Sequence, residues 1–224
     1  MAYQCITYDE VGDSVALVTL NRPNRLNALN RQLVSELEQV VDHVEESGDV
    51  RVLVFTGASR ADGRPCFSAG ADLYEQADRE ESQEALLGTI RALVDRSFGP
   101  WLAGFCDRLE TLGIPSIAAI DGICTAGGLE LALSCDIRVA SETAQISDLH
   151  IKNLGAIGGG GVTVRLARAV GPAWAKEIMF TGLPLNGQAA VDIGLANHVF
   201  APDKLVGGAV DLAKRFAAMR PQAL

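Results

Sequence analysis

The sequence predicts an α/β domain with strands buried on both faces. Two runs, "RVLVFTG" (51–57) and "PSIAAID" (115–121), are apolar without alternation, as strands covered from both sides are. Between such runs, apolar residues recur at helical spacing: Leu33, Leu37, Val40, Val41 and Val44 form one stripe. No internal repeat or low-complexity linker divides the 224 residues, and 48% hydrophobic content is enough to bury a full core.

The elements follow in order. "QCITYDE" and "SVALVTLN" flank "VGD", a hairpin signature. A loop rich in Asn, Arg and Pro, "NRPNRLNALN", leads to Asn30, which caps the helix "RQLVSELEQVVDHVEES". After the strand at 51–57 comes a long loop, "ASRADGRPCFSAGAD". Residues from about Glu80 to Leu112 read as helical, interrupted near "FGPW". The strand at 115–121 precedes "GICTAGGLELALSCD", where a helix begins at or near Gly127. "DIRVAS" is a strand, and "AQISDLHIKNLGAIGGGG" is irregular and glycine-rich. "VTVRLARAVG" and "AWAKEIMFTG" are helices that each end at glycine. "ANHVF" is a short strand, and "DKLVGGAVDLAKRFAAM" is the last helix.

The charge balance, 28 acidic against 19 basic residues for a net −9, argues against a nonspecific hold on nucleic acid or an anionic membrane. "MAYQCITYDE" lacks a basic region followed by an apolar one, so no secretory signal is expected. Asp121 and Glu130 break the longest apolar run, so no membrane span is expected either. Five cysteines with no C-x-x-C pair read as reduced, mostly buried thiols of a cytoplasmic protein, with no disulfide framework and no metal site.

Several motifs fail. "GAIGGGG" lacks the Lys-Ser/Thr of a phosphate loop and the strand and acidic residue of a dinucleotide fingerprint. There is no G-x-S-x-G elbow and no H-E-x-x-H, and His43 and His198 read as structural. Two segments remain, "FSAGAD" and "TAGGLE". The first turn of a helix beginning at Gly127 has unpaired N–H groups and a partial positive charge. An N–H from each segment would grip one developing oxyanion. Glu130 lies three residues beyond Gly127, on the same helical face, among Leu129, Leu131, Ala132 and Leu133. A carboxylate there is placed to move a proton at the carbon beside a polarised carbonyl. The blander alternative is a glutamate that merely complements the helix dipole.

"FSAGADL" paired with "IDGICTAGGLELALSCDIRVA" resembles the enoyl-CoA hydratase/isomerase (crotonase) superfamily. "VALVTLNRPNRLNAL", "RVLVFTGA" and "AKEIMFTGLPLNGQAAVDIGLANHVF" fit as well, so the resemblance covers residues 6–220. It implies a spiral of repeated ββα units, with residues 1–200 as its core and 201–224 as the start of a peripheral, shortened C-terminal helical region. It further implies a homotrimer or dimer of trimers, and an enzyme of fatty acid metabolism that hydrates or isomerises an acyl-CoA thioester. Coenzyme A is then part of the substrate rather than a separate cofactor. Carried over by position, Ala69 and Gly127 supply the oxyanion hole and Glu130 is the first of two family glutamates. Arg25, Leu26 and Ala28 lie along the CoA arm, and Ala71, Asp72 and Leu73 lie near its adenine end.

Departures from the family pattern are as informative. His150 stands where the second catalytic glutamate belongs, with Asp148 the one carboxylate nearby. His150 is an acid/base partner of Glu130, a group that shapes the acyl pocket, or a packing residue; the sequence leaves these three open. "SRADGRPC" adds Arg60 and Arg64, which either meet the CoA phosphates or are solvated. A catalytically weak acyl-CoA binding or regulatory protein that retains the oxyanion hole is the alternative to an enzyme.

Overall fold

A computed structural model describes residues 3–73 and 99–220. In it β1 (Ile6–Glu10) and β2 (Val15–Leu20) form the expected hairpin, with Ile6 opposite Leu20 and Glu10 opposite Ala16. Helix α1 (Arg31–Ser47) starts where the sequence places it, because the Asn30 side chain accepts from the Leu33 N–H at 2.9 Å. It ends at Gly48, whose φ of 66° continues no helix.

Next come β3 (Val52–Gly57) and β4 (Cys66–Ser68), then α2 (Gly99–Glu110). The earlier part of the helical pattern expected from Glu80 lies outside the described residues. β5 (Ser116–Ile120), β6 (Ile123–Thr125) and α3 (Gly127–Ser134) follow. β7 (Ile137–Ser141) and β8 (Gln145–Ser147) lead through a π-helical turn, His150–Leu154, to α4 (Val162–Thr181). Gly171, at φ 78° and ψ 160°, bends α4 where two separate helices are expected. The chain closes with α5 (Gly187–Asp192), β9 (His198–Phe200) and α6 (Leu205–Ala217).

Two sheets result. The larger has the order β1-β2-β3-β5-β7-β9, parallel apart from the hairpin; the smaller is β4-β6-β8, all parallel. After β3, β5 and β7 the chain steps into the small sheet and returns through a helix. That repeat is the ββα spiral. β4, β6 and β8 have three residues each, too few for a two-residue period to register, so the sequence shows loops where the structure has a second sheet.

β3 and β5 are buried on both faces. Val52, Val54, Ile117 and Ala119 pack against Leu205, Ala209, Ala213 and Ala217 of α6. Leu53, Phe55, Ala118 and Ile120 face the main core beneath α1, α2 and α3. α6, in the region expected to be peripheral from residue 201, covers one face of the large sheet. All five cysteines are buried and free; burial pushes the Cys66 thiol up to about 11 and Cys106 to about 12. No helix among the described residues is long and apolar enough to cross a membrane.

The steps between sheets are pinned. The Asp121 carboxylate accepts from the Gly122 N–H at 2.8 Å, from the Thr143 hydroxyl at 2.9 Å and from the Ser141 hydroxyl. This ties the β5–β6 step to the β7–β8 step. Gly122 has φ +58°, and a Cβ there would lie 2.0 Å from the Pro65 carbonyl oxygen. Gly122→Ala is expected to destabilise the fold by about 2–4 kcal/mol, combining left-handed strain with overpacking against backbone. Urea denaturation of the two proteins measures it.

Candidate active site

The small sheet carries the site at the C-terminal ends of its strands. The loop before α1 first fixes the strand end after β4. Asn27 is fully buried; its side-chain N–H groups reach the carbonyls of Ala58 and Cys66, both at 2.8 Å, and its own carbonyl accepts from the Ser68 hydroxyl at 2.8 Å. Leu29 then pairs with the chain beyond: its N–H donates to Gly70 at 2.7 Å and its carbonyl accepts from Asp72 at 2.8 Å. In such a parallel bridge the N–H of the residue between, Ala71, faces the other way.

It faces α3. Ala126, at φ 51° and ψ −122°, turns the chain from β6 into that helix, and the Gly127 N–H is unpaired by its place in the first turn. A Cβ on Gly127 would sit 3.2 Å from the Ala71 nitrogen, so the two amides are neighbours. Both residues line a cavity of about 110 Å³. The sequence reading gives the first of these amides to Ala69, and the structure corrects it. The Ala69 N–H donates to the Leu26 carbonyl at 3.0 Å; Ala69 lines the cavity with its side of the chain but has no amide to offer it. The amide that faces Gly127 is that of Ala71, two residues on.

Glu130 enters the same cavity one turn deeper and is 1% exposed. One carboxylate oxygen accepts from the Gly160 N–H at 2.8 Å and the Val162 N–H at 3.3 Å. Val162 opens α4, so the carboxylate sits at the positive end of a second helix. Burial nevertheless dominates. It raises the Glu130 carboxyl above its ordinary range, with Asp148 adding to the rise and His150 and the two amides opposing it.

His150, 7% exposed, also lines the cavity. Its Nε2 lies 3.9 Å from the Glu130 carboxylate, and its Nδ1 lies 2.6 Å from Asp148 Oδ1. Burial alone would lower the imidazole; its hydrogen bond to Asp148 and the charges of Glu130 and Asp148 together outweigh it and hold His150 above its usual value. The "GAIGGGG" segment, which fits no phosphate-binding motif, closes over this pair. A Cβ on Gly158 would lie 2.5 Å from the His150 ring, and one on Gly160 would lie 2.5 Å from the Glu130 carboxylate. Only hydrogen fits there. Arg165, buried and ion-paired to Asp107 at 2.6 Å and Glu110 at 2.8 Å, holds the Gly160 carbonyl at 2.7 Å and so fixes the lid over Glu130.

The structure thus brings Ala69, Ala71, Leu73, Gly127, Glu130 and His150 to one cavity. It leaves out Arg25, exposed in a single 3₁₀ turn, and Leu26 and Ala28 of the same loop. Asp72, expected near an adenine, is buried and paired with Arg22 at 2.8 Å. Arg60 and Arg64 both pair with Asp62. Their loop lies beside Gly122 and Thr143 at the N-terminal ends of the small sheet, opposite the cavity. His43 packs edge-on against Tyr8 and His198 against Phe200, neither lining the cavity. The sequence reading missed Gly160 and Arg165, for which glycine density and a lone arginine are no signal. It noted Asp148 as the one carboxylate nearby but gave it no role, although the Asp-x-His spacing was legible.

Fold and cavity together define a ββα-spiral protein with two backbone amides set against a buried carboxylate. The sequence profile of the enoyl-CoA hydratase/isomerase family matches residues 10–224. The chain is 36% identical over 210 residues to a short-chain-enoyl-CoA hydratase of Clostridium acetobutylicum, spanning 94% of this chain and 74% of that one. It is 36% identical over 221 residues to the mitochondrial methylglutaconyl-CoA hydratase of Rattus norvegicus, covering 96% of this chain and 65% of that one. The crystal structure of an enoyl-CoA hydratase from Bacillus anthracis superposes with a TM-score of 0.84 at 34% identity, over 98% of this chain and 79% of that one. The protein belongs to the enoyl-CoA hydratase/isomerase family.

Gly160→Ala should push the Glu130 carboxylate off its amides and lower stability by about 1–3 kcal/mol, as overpacking does. Gly159→Ala, beside it, provides the comparison in thermal denaturation.

Proposed function

We propose that the protein hydrates a 2-enoyl-CoA thioester. The thioester oxygen sits between the amides of Ala71 and Gly127. As water adds to the β-carbon, charge moves to that oxygen, where two fixed donors are worth several kcal/mol in a site shielded from solvent. Burial favours the neutral form of Glu130, and in that form it delivers a proton to the α-carbon. Hydration needs a second group to take a proton from water; isomerisation needs one carboxylate alone. The observation that favours hydration is His150, its Nε2 3.9 Å from Glu130 in the same cavity.

The names of the relatives, two of them hydratases of CoA thioesters, support this reading. Leu73 and Leu102 make the cavity wall apolar, as an acyl chain requires. Coenzyme A enters as part of the substrate, with no separate cofactor. The exposed Ile157, Val164, Trp174, Phe180 and Leu183, on α4 and its flanks, suit burial in a homotrimer.

Incubation with crotonyl-CoA, followed by absorbance and by product mass, is expected to give a product heavier by one water. Unchanged substrate together with a raised melting temperature would instead establish a binding protein. Glu130→Gln is expected to lower kcat by about 10²–10⁴-fold, the usual contribution of acid–base catalysis. The pH profile of kcat/KM should be bell-shaped. At low pH both groups are protonated and His150 accepts nothing; at high pH Glu130 is ionised and has no proton to give. Because the folded site raises both groups, the alkaline limb lies above the range of an ordinary glutamate.

A further inference from the structure

We propose that Asp148 is a positioning residue that holds His150 with its proton on Nδ1, leaving Nε2 as the atom that takes a proton from water and returns it to Glu130. This rests on the hydratase reading above. Asp148 Oδ1 meets both the backbone N–H of His150, at 3.2 Å, and its ring Nδ1, at 2.6 Å. The ring contact is the shorter, so the carboxylate does more than close a turn. A carboxylate accepts and never donates, so the proton in that bond belongs to Nδ1. Nε2 is then the basic nitrogen, and it faces Glu130.

Asp148 itself is fully buried, and its second oxygen, Oδ2, has no hydrogen-bond partner among the described residues. A buried acceptor left half satisfied is unfavourable for folding, and a turn needs only one oxygen. A negative charge behind the imidazole has a use, however. It steadies the imidazolium that forms when water gives up its proton, much as a carboxylate behind a catalytic histidine does. Other ionisable groups are few around the ring. Glu130 faces it from α3, Lys152 is exposed on its own turn, and the Gly155–Gly161 loop over it contains none. Behind Glu130 lies Cys106 of α2, whose thiol is pushed up to about 12 and stays neutral.

The proton account closes. Water's oxygen bonds to the β-carbon, and its proton passes to Nε2. The double-bond electron pair moves onto the thioester oxygen, and the resulting enolate takes the Glu130 proton at its α-carbon. His150 is then protonated and Glu130 ionised. One proton crossing the 3.9 Å between them restores both.

The test has two independent arms. In the wild-type protein, ¹⁵N chemical shifts of the three histidine side chains, assigned with His150→Gln, should show His150 protonated on Nδ1 in its neutral form. Protonation on Nε2 overturns the proposal whatever the catalytic result. Asp148→Asn, checked for folding by circular dichroism, is expected to lower kcat by about 10- to 100-fold, part of what acid–base catalysis supplies. KM should stay within about twofold, and the acidic limb of the pH profile should move down as the imidazole loses its carboxylate. In the His150→Gln background the same substitution should change kcat no further. A full additional loss there, or wild-type kcat in Asp148→Asn, overturns the proposal. If no enoyl-CoA is hydrated, the hydratase reading fails and the histidine shifts still decide the role of Asp148.

Discussion

The site is organised around one carboxylate buried where two helices begin. Glu130 belongs to the first turn of α3 and accepts from amides at the first turn of α4. An isolated carboxylate in an apolar interior is costly enough that proteins neutralise it or surround it with donors. Here the donors come from a glycine segment packed too closely for any side chain, and Arg165 anchors that segment by its Gly160 carbonyl. Moving Glu130 therefore means moving the loop, the start of α4 and the buried arginine together. That coupling holds the carboxylate in place.

The second constraint is backbone rather than side chain. The loop from Arg22 to Leu29 has two non-glycine residues at positive φ, Leu26 and Asn27, and Asn27 uses its side chain to bind the chain on either side of β4. This ordered loop decides which amide after β4 is free. Ala69 donates to Leu26 and Asp72 donates to Leu29, and Ala71 is left facing the helix start. Leu26 and Leu29 of this loop thus set which amide is presented, through their bonds to Ala69, Gly70 and Asp72.

Within its family the chain combines familiar and unfamiliar parts. The spiral follows the pattern that the resemblance implies. His150 does not. Its imidazole is buried, with the Asp148 carboxylate 2.6 Å away on one side and Glu130 3.9 Å away on the other. The proposed acid–base role rests on that geometry.

Much was readable from the chain itself. Continuous apolar runs marked β3 and β5 because burial on both faces leaves no polar positions. Asn30 marked the start of α1 by its capping chemistry, and Glu130 stood out as an ionisable residue in an apolar helix. Asp-x-His, too, is a local contact that spacing alone can suggest. What the tertiary structure decided were the relations across distance. It folded three-residue strands, too short to show a period, into a second sheet. It set Ala71 rather than Ala69 against Gly127, because the free amide depends on hydrogen bonds made by a loop some forty residues earlier. It also carried Arg60 and Arg64 to the far end of the small sheet and closed the glycine segment over Glu130 and His150. A residue's own chemistry is written in the sequence, but which of its atoms remains unpaired is settled only when the rest of the chain has taken its partners.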